Sequence, residues 1–437
     1  MATSEIPVEE TMSGSAAADH RYDVLVVGGG PAGLSAAEAA AKAGARVAVL
    51  ERQKEIGYPV HTSGGSWIGD MRALGIPDEL YYPIHRVTFL SPARRAQFDY
   101  DAPVCCVLDV RGVYQHLAAR AVTAGVSIHP NSPVEGPIVE DGRVVGVVAK
   151  DHRNRAGRWY ANVVVDASGF SCTVSTRTKL HAGYRRYGFG AEYDFFAPHY
   201  DQDELYLIMG SQVAPAGYAW AFPRGKGRVR LGVGVLRPDT EADAREYLDT
   251  FADRLPSLAP VFAGASAVEY HTGLFPSEGV VDRFVGEGLI ATGDAAGHGS
   301  TLVGEGIRFA IYSGQMAGAV AGESIRAGDH SAAFLMRYDR RWRARFGREM
   351  DVSYLINQRI AGWSDPSWDE GVELLARLSP TQAAQLLRGD YSAGLFLGIL
   401  RRNPSLLRTG ARKFFDLALA RMGRTTPVTE AEVASAG

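Results

Sequence analysis

The chain has 437 residues, with 46 basic and 49 acidic side chains and a formal net charge of −3. This near balance gives no electrostatic basis for binding nucleic acid, and the length allows two or three domains. The three cysteines, Cys105, Cys106 and Cys172, show neither a metal-binding spacing nor a disulfide framework, which is typical of a reducing cytoplasm.

The first 20 residues are polar and rich in Ser, Ala and Glu, and they lack the apolar core of a signal peptide. We therefore predict a disordered tail over 1–20. No later run of about 20 uncharged apolar residues occurs, so we predict no transmembrane helix and expect a cytoplasmic protein. Peripheral contact with a membrane stays open as an alternative.

The strongest motif follows a short β-branched strand at 24–27, which is typical of a strand buried on both faces. The motif reads Gly28-Gly29-Gly30-Pro31-Ala32-Gly33 and fits G-x-G-x-x-G. In this pattern Gly28 permits a tight turn, Gly30 lets the backbone approach a pyrophosphate, and Gly33 lets helix and strand pack closely. The helix that follows presents free N–H groups to phosphates. We therefore predict a dinucleotide site here.

A second predicted strand, at 46–50, ends at Glu51, which has the spacing of a carboxylate that binds a ribose. Arg52 follows and is a further candidate cofactor contact, although an acid in the ribose position argues against a 2′-phosphate. A glycine-rich turn in some other α/β protein is the alternative interpretation of the whole segment.

The following stretch, 57–66, is rich in turn-forming residues and either lines a cofactor or is an ordinary surface loop. Strands are predicted at 87–100 and 104–110, a helix at 111–124, and short strands at 126–129, 134–140 and 144–150. A buried strand at 163–165 then runs into Asp166-Ala167-Ser168-Gly169 and returns to the first sheet.

From 184 to 236 apolar and polar residues alternate, which predicts an inserted antiparallel sheet with one wet face. A single amphipathic helix is predicted at 241–255 and a strand at 268–275. The segment GLIATGDAAG, at 288–297, is a strand with an acidic turn, and a helix begins near Gly304. Residues 374–422 are apolar at helical spacing.

Four arginines share one predicted helix face, namely Arg337, Arg341, Arg345 and Arg348. A solvated helix surface is the simpler interpretation of this stripe, and a membrane-surface patch is the alternative.

Three segments together resemble the FAD enzymes built like p-hydroxybenzoate hydroxylase: the G-x-G-x-x-G turn, the turn at Asp166, and GLIATGDAAG. The resemblance implies that Asp294 lies near the ribityl chain and pyrophosphate of FAD. It also implies that a helix N-terminus faces the flavin pyrimidine edge, with Gly304, Gly306 and Ile307 at that end. A positive dipole end there stabilises anionic reduced flavin. Arg111 matches an arginine that often contacts the cofactor in this class.

A fourth segment narrows the resemblance to the geranylgeranyl reductases. Tyr218-Ala219-Trp220-Ala221-Phe222-Pro223 is followed by Gly232-Val233-Gly234, which resembles the signature (Y/F)-x-W-x-F-P…G-x-G. Period-2 spacing places Tyr218, Trp220 and Phe222 on one strand face, where an aromatic wall suits a long apolar substrate. On physical grounds alone, three such aromatics are also compatible with an ordinary core.

The chain departs from the family pattern at two places. Ser63-Gly64 stands where some members have Cys-Gly, and Thr301 stands where a proline usually follows the acidic turn. We predict that His61, Ser63 and His298 are candidate proton donors or polar substrate contacts. Loop histidines with ordinary hydrogen bonds are the alternative for His61 and His298.

These observations predict an α/β fold, with a Rossmann-like FAD-binding domain, an inserted antiparallel-sheet substrate domain and a helical C-terminal region. The predicted FAD-binding domain covers 21–180 with 276–350, the substrate domain 181–275, and the helical region 351–437. The resemblance implies an FAD-dependent oxidoreductase that reduces C=C bonds of a polyprenyl or other apolar lipid substrate, with no metal ion.

The sequence leaves alternatives open for both the reaction and the electron donor. A monooxygenase or oxidase acting on a small secondary metabolite is the second candidate, and a halogenase is a weaker third. Only one dinucleotide fingerprint is present, so electrons come from transient NADH or NADPH or from a ferredoxin-like protein.

Overall fold

The computed structural model describes residues 19–402, which form 18 strands and 11 α-helices. The strands are β1 (Asp19–Val27), β2 (Val47–Leu50), β3 (Gly65–Trp67), β4 (Tyr81–Ile84), β5 (Arg86–Leu90), β6 (Arg95–Asp99), β7 (Cys105–Leu108), β8 (Ser127–His129), β9 (Val134–Glu140), β10 (Arg143–Lys150), β11 (Ala156–Asp166), β12 (Tyr187–Phe196), β13 (Glu204–Ile208), β14 (Gly217–Gly225), β15 (Arg228–Arg237), β16 (Ser266–Pro276), β17 (Val285–Gly286) and β18 (Leu289–Ala291).

The helices are α1 (Pro31–Lys42), α2 (Ile68–Ala73), α3 (Val110–Thr123), α4 (Ala244–Asp249), α5 (Phe251–Arg254), α6 (Ile307–Ala327), α7 (Ala332–Trp342), α8 (Arg348–Ile360), α9 (Asp365–Leu375), α10 (Pro380–Arg388) and α11 (Ala393–Arg402). The predicted disorder of 1–20 lies outside the described residues except at 19–20, which begin β1. The predicted helical pattern beyond 402 also lies outside them.

The first sheet has the order β17-β18-β11-β1-β2-β8, with the β9–β10 hairpin attached through β11. β1 pairs in parallel with β2 and with β11, and β11 pairs in parallel with β18. The apolar segment 24–27 at the sheet centre is fully enclosed, as its β-branched composition predicts. The carboxyl ends of β1, β11 and β18 therefore meet at one edge, where the dinucleotide turn and the acidic turn follow.

Helices α1 and α6 cross at very close range against this sheet. A Cβ on Gly314 would lie 2.2 Å from the Ala32 carbonyl oxygen, and one on Gly318 would lie 2.0 Å from that of Ala36. Only glycine allows two helix backbones to approach so closely. The crossing brings the N-termini of both helices to the same edge of the sheet.

The second sheet has the order β16-β12-β15-β14-β13-β5-β6 and is antiparallel except between β13 and β5. It contains the predicted antiparallel segment 184–236. It also takes up β5 and β6, which the sequence analysis assigned to the first domain, because β5 pairs in parallel with β13. The short third sheet has the order β3-β7-β4.

The C-terminal helices cover one face of the second sheet. Val372, Ala383 and Leu395, from α9, α10 and α11, pack in one apolar cluster with Phe89 and Trp220. The single helix predicted at 241–255 is two short helices, α4 and α5, which meet at Thr250. Among residues 19–402, no helix combines the length and the apolar character needed to cross a bilayer.

Candidate active site

The glycine turn after β1 has three glycines with different spatial constraints. Gly28 has φ +106, and a Cβ there would lie 2.3 Å from the Ala167 carbonyl oxygen of the neighbouring strand end. A Cβ on Gly33 would lie 2.0 Å from the Gly28 carbonyl oxygen, so both positions are closed by protein backbone. A Cβ on Gly30 would meet no atom within 4 Å. The turn thus leaves an open space beside Gly30, at the start of α1.

The start of α1 has unsatisfied donors facing this space. Its N-cap is Gly30, which has no side chain to accept the first amide groups, and Pro31 occupies the first helical position. The amides of the first turn have no partner inside the helix, and the helix dipole makes this end positive. The arrangement fits a pyrophosphate, which would take the space that a Cβ on Gly30 would fill.

Glu51 is fixed at the edge of the same turn by backbone amides. Its carboxylate accepts from the Gly29 amide at 2.6 Å and from the Gln53 amide at 2.7 Å. These two bonds orient the carboxylate and still leave lone pairs available, because a carboxylate accepts about four hydrogen bonds. The geometry is compatible with the ribose contact that the sequence predicts for Glu51, and this contact stays a prediction.

Asp294 lies between the two helix ends, in the acidic turn after β18. Burial, with no hydrogen bond or neighbouring charge to offset it, raises the pKa of the Asp294 carboxyl to about 6. A Cβ on Gly306, the N-cap of α6, would lie 3.7 Å from its Oδ1. A half-buried carboxyl without a protein donor is suited to accept a hydroxyl of a bound ligand, so the site fits the ribityl chain of FAD.

Two arginines predicted to contact the cofactor have protein partners instead. Arg111, the second residue of α3, is exposed and pairs with Glu55, with its Nε at 2.7 Å. Arg52 is exposed and donates to the Ser171 hydroxyl at 3.3 Å. Both positions are compatible with a cofactor contact only if these exposed pairs open, and their predicted roles stay predictions.

A cavity lies between the N-terminal end of α6 and the second sheet, with about 720 Å³ of free space including its mouth. The cavity is lined by residues 62–67, which include β3, by residues 303–307 at the start of α6, and by side chains of β5, β7, β13, β14 and α10. None of the described residues that line it carries a positive charge, and Glu305 is its one carboxylate. Its position beside the helix end predicted to face the flavin makes it the candidate reaction cavity.

The aromatic residues of β14 share one face of the sheet, as their alternation predicts. Trp220 lies across the neighbouring strand, where a Cβ on Gly232 would lie 2.3 Å from the indole and one on Gly234 would lie 3.2 Å from it. The indole therefore fills the space that is left because the two glycines of the signature have no Cβ. The Trp220 Nε1 donates to Glu192 Oε2 at 3.2 Å.

Tyr218 and Phe222 form the cavity wall on either side of Trp220. The Tyr218 hydroxyl donates to the Val303 carbonyl at 2.6 Å, which fixes the strand against the segment before α6. The Phe222 ring lies 3.1 Å from the Cβ position of Gly65, the first residue of β3. The structure thus brings Tyr218 and Phe222 to the cavity, while Trp220 supports them from beneath.

Glu305 closes one end of the cavity with a carboxylate that is already saturated by donors. Its oxygens accept from Ser66 Oγ at 3.0 Å, from Trp67 Nε1 at 3.2 Å, and from Arg308 Nε and Nη2 at 3.1 and 3.0 Å. Arg308 also donates to the Arg388 carbonyl at 2.8 Å and so connects α6 with α10. The carboxylate therefore acts as a rigid, charge-compensated part of the wall.

Comparison with known proteins agrees with both halves of this site. Residues 23–174 match the family model for FAD dependent oxidoreductases, and residues 188–274 match the model for the geranylgeranyl reductase catalytic domain. A digeranylgeranylglycerophospholipid reductase of Methanothermobacter thermautotrophicus is 30% identical over 395 residues, which cover 89% of this chain and 98% of the relative. The chain belongs to the geranylgeranyl reductase family.

Solved structures support the same assignment. A geranylgeranyl bacteriochlorophyll reductase-like protein from Thermoplasma acidophilum superposes with a TM-score of 0.80 at 28% identity, covering 90% of this chain and 98% of that one. A flavin-dependent brominase superposes with a TM-score of 0.66 at 18% identity, covering 92% of this chain and all of that one. At that identity, the brominase shares the fold. The family membership confirms the predicted FAD-dependent oxidoreductase and its α/β architecture.

Within this family site, the three predicted catalytic residues have different positions. Ser63 lines the cavity, and its hydroxyl forms no hydrogen bond within residues 19–402. His61 is exposed and is not among the residues that line the cavity. Its Nδ1 lies 2.9 Å from the Thr272 carbonyl oxygen of β16. The structure therefore brings one of the three, Ser63, to the reaction cavity.

His298 is fully buried away from the cavity, which corrects its prediction as a proton donor. Its ring stacks on Trp342 at 4.0 Å between centroids and packs edge-on against Phe284. Its Nδ1 lies 3.2 Å from the Tyr338 hydroxyl. Burial lowers the pKa of His298 well below its usual value, so the imidazole is neutral and belongs to the aromatic core.

The sequence analysis missed two pairs of charged residues at this site. Glu305, just before the N-cap of α6, pairs at an i, i+3 spacing with Arg308 in the first turn, and that spacing was a usable signal. Arg230 and Glu192 are buried charges inside apolar strands, on the face that also carries Trp220. A charge at an inward position of an alternating strand was the signal for these residues.

Proposed function

We propose that the protein uses FAD to reduce isolated carbon–carbon double bonds of a polyprenyl chain bound in the reaction cavity. The observation that carries this proposal is the wall of Tyr218 and Phe222, supported by Trp220 and facing the N-terminal end of α6. Such a wall binds a long apolar chain by contact area, without polar groups to fix a ring. The relatives named as reductases of digeranylgeranylglycerophospholipid support this substrate class.

The reduction adds one hydride and one proton across the double bond. When bound, reduced FAD supplies the hydride to one alkene carbon. This chain orients the reactants: the N-termini of α1 and α6 and the carboxylates of Glu51 and Asp294 would hold the cofactor, while the aromatic wall orients the alkene and excludes water. The second carbon then receives a proton from the cavity.

Ser63 is the group that we assign to holding this proton. Four hydroxyl groups line the cavity: that of Tyr218 donates to the Val303 carbonyl and that of Ser66 donates to Glu305, whereas those of Thr62 and Ser63 have no hydrogen-bond partner among the described residues. The Ser63 hydroxyl has no such bond within the described part of the chain, so it is available to hand a proton on from solvent.

An oxygen-using flavoenzyme is the second candidate, since Thr62, Ser63, Ser66 and Glu305 make one side of the cavity polar. The four donors that occupy the Glu305 carboxylate weigh against it. A carboxylate that is saturated by protein donors is not available to anchor a hydroxylated ring. The geometry therefore favours the apolar substrate.

The electron donor and the cellular location extend this proposal. Transient NADPH or NADH, or a ferredoxin-like protein, supplies electrons, and rapid-mixing reduction with each donor under anaerobic conditions separates them. We also propose that the protein is located in the cytoplasm. In the arginine stripe, Arg341 pairs with Glu323 at 2.7 Å and Arg348 donates to the Tyr391 carbonyl at 2.6 Å, which favours a solvated surface over a membrane patch.

The deciding experiment is anaerobic. The FAD-loaded protein is reduced with dithionite, a geranylgeranyl lipid is added, and reoxidation is followed at the visible flavin band. We expect reoxidation in the absence of oxygen, with a saturated prenyl product detected by mass spectrometry. A matched lipid that is already saturated serves as the control and leaves the flavin reduced.

Flavin that stays reduced with every polyprenyl lipid, and reoxidises only when air is admitted, would contradict the proposal. That result would favour the oxygen-using alternative, and small polar metabolites would then be the substrates to test.

A further inference from the structure

We infer that Arg230 is the positioning residue of the active-site loop, which we define as residues 61–66, and that Glu192 couples this loop to Trp220. The inference rests on the proposed function, since it concerns the cavity in which the reaction takes place. It assigns a role to a buried charge that the family signature does not include.

The active-site loop is held to the second sheet through its backbone. Arg230 Nη1 donates to the Thr62 carbonyl at 3.1 Å and to the Ser63 carbonyl at 2.8 Å. These two residues also line the reaction cavity. A single guanidinium therefore fixes the depth at which the loop wall, including the Ser63 hydroxyl, faces the substrate.

The active-site loop also contacts the backbone of β16. A Cβ on Gly273 of β16 would lie 2.1 Å from the His61 carbonyl oxygen, so the loop backbone rests directly on the strand. This contact limits how far the loop approaches the sheet, while Arg230 prevents it from moving away. The two constraints act in opposite directions and together define one loop position.

Arg230 is itself locked inside the protein. The residue is 1% exposed, and a buried guanidinium requires carboxylate partners. Its Nη2 lies 3.3 Å from Asp194 Oδ2, and its Nε lies 3.5 Å from Glu192 Oε1. With carboxylates on one side and loop carbonyls on the other, its planar group has one orientation.

Glu192 is shared between the loop anchor and the aromatic wall. Its Oε1 faces Arg230 and also His271 Nδ1, at 3.2 Å, while its Oε2 accepts from Trp220 Nε1 at 3.2 Å. A displacement of the guanidinium therefore changes the acceptor that orients the indole. The loop and the aromatic wall, which both line the cavity and meet where Gly65 contacts Phe222, are set by the same carboxylate.

The ion cluster allows a substitution at Arg230 that still leaves each carboxylate with a hydrogen-bond or ion-pair partner. Asp194 also pairs with Arg224 and with Arg228, the latter at 3.0 Å, and Glu192 keeps Trp220 and His271. We therefore expect Arg230→Met to fold. Arg228 is the matched control, because it contacts the same Asp194 but reaches no carbonyl of the active-site loop.

The first test measures steady-state turnover of the geranylgeranyl lipid by FAD-loaded variants. We expect Arg230→Met to lower kcat roughly 10- to 100-fold, because a misplaced reaction wall costs about this much, with KM within about threefold of wild type. Arg230→Lys keeps the charge but loses the forked guanidinium, so its kcat should lie between those of wild type and Arg230→Met. Arg228→Gln should stay within about twofold of wild type, and an equal loss in Arg228→Gln would overturn the inference.

The second test does not depend on the substrate. Hydrogen–deuterium exchange should accelerate in the peptide that contains 61–66 in Arg230→Met, with no change in α1 or β11. Unchanged loop exchange, or acceleration throughout the second sheet, would overturn the inference. If wild type reduces no polyprenyl lipid, the proposed function fails, while the loop exchange still decides the positioning role.

Discussion

The cofactor cradle and the aromatic wall are built by opposite means. The cradle is made of backbone: open space at Gly30, amides at the start of α1, and a carboxylate held by the amides of Gly29 and Gln53. The wall is made of side chains, with Trp220 lying in the space of Gly232 and held by Glu192. A cradle of this kind is sensitive to an added atom, whereas the wall is sensitive to a lost or displaced ring.

The two regions also differ in how they manage charge. The cradle offers two helix N-termini and Asp294, and burial raises the pKa of Asp294 to about 6. The polar groups of the cradle are therefore available to a ligand. Behind the wall, Glu192 and Asp194 have protein partners: Arg230 pairs with both, and Arg224 and Arg228 also pair with Asp194. The cradle is thus completed by FAD, while the wall is complete without a ligand.

The largest effect that separates the two regions is expected at the glycines of the turn. Gly30 has an extended backbone, with φ −79 and ψ −178, which valine also adopts, and its Cβ position is open. We expect Gly30→Val to fold normally and to weaken FAD binding by ~100-fold or more, which corresponds to about 2.7 kcal/mol. The ratio of flavin to protein absorbance after desalting measures the loss.

Gly33→Ala is the matched comparison, because its Cβ would lie 2.0 Å from the Gly28 carbonyl oxygen. We expect this variant to lower the free energy of unfolding of the FAD-free protein by about 3 kcal/mol, since a backbone clash cannot relax cheaply. Denaturant titration of both FAD-free variants separates the effects. A Gly30→Val protein that purifies with full flavin would contradict the placement of the pyrophosphate.

An intermediate effect is expected at the wall, where FAD binding should survive. Trp220→Ala removes the ring that supports Tyr218 and Phe222, and we expect turnover to fall roughly 10- to 100-fold with FAD retained. Gly232→Ala should approach this loss, because its Cβ would lie 2.3 Å from the indole. Turnover per bound FAD, measured with the geranylgeranyl lipid, gives the comparison.

The graded control for the wall is Gly234→Ala, whose Cβ would lie 3.2 Å from the same ring. A small shift of the indole accommodates that contact, so we expect at most a severalfold loss of turnover. If Trp220→Ala and Gly232→Ala lost flavin while turnover per bound FAD stayed at the wild-type level, the wall would belong to the cofactor site instead.

The contrast also explains what the sequence could predict. The cradle residues Gly28, Gly30, Gly33 and Glu51 fall within about 25 residues, and each has a steric or hydrogen-bonding reason for its type and spacing. Because parallel strands bring their carboxyl ends to one edge, the turn at Asp294 could also be assigned to the same place. The alternation in β14 correctly placed three aromatic residues on one face.

The remaining parts depend on contacts between residues far apart in the chain. The pairing of β5 with β13, the anchoring of Ser63 by Arg230, and the burial of His298 against Trp342 each join segments at least 40 residues apart. No local pattern encodes such partners. His298 looked functional because it follows an acidic turn, yet the aromatic residues of α7 and Phe284 enclose it in the core.

The smallest effect is expected at Glu349, on α8, where the helix end shared by the cradle and the wall meets the C-terminal helices. Burial outweighs the neighbouring Arg308, at 3.4 Å, and raises the pKa of Glu349 to about 7. The folded protein therefore binds a proton between about pH 4.5 and 7 that the unfolded chain does not bind. The contribution of Glu349 to stability is therefore unchanged below about pH 4.5, is lost as pH rises from about 4.5 to 7, and levels off above 7.

Glu349→Gln should remove this dependence, because glutamine resembles the protonated carboxyl at every pH. At pH 4 we expect nearly equal free energies of unfolding for variant and wild type, at pH 5.5 a variant that is more stable by about 1 kcal/mol, and at pH 8 one that is more stable by about 1–3 kcal/mol. Comparing the two proteins at each pH, both saturated with FAD, cancels the titration of Asp294. Parallel stability curves for the two proteins would show that Arg308 keeps Glu349 ionised, and that the shared helix end is charged throughout this pH range.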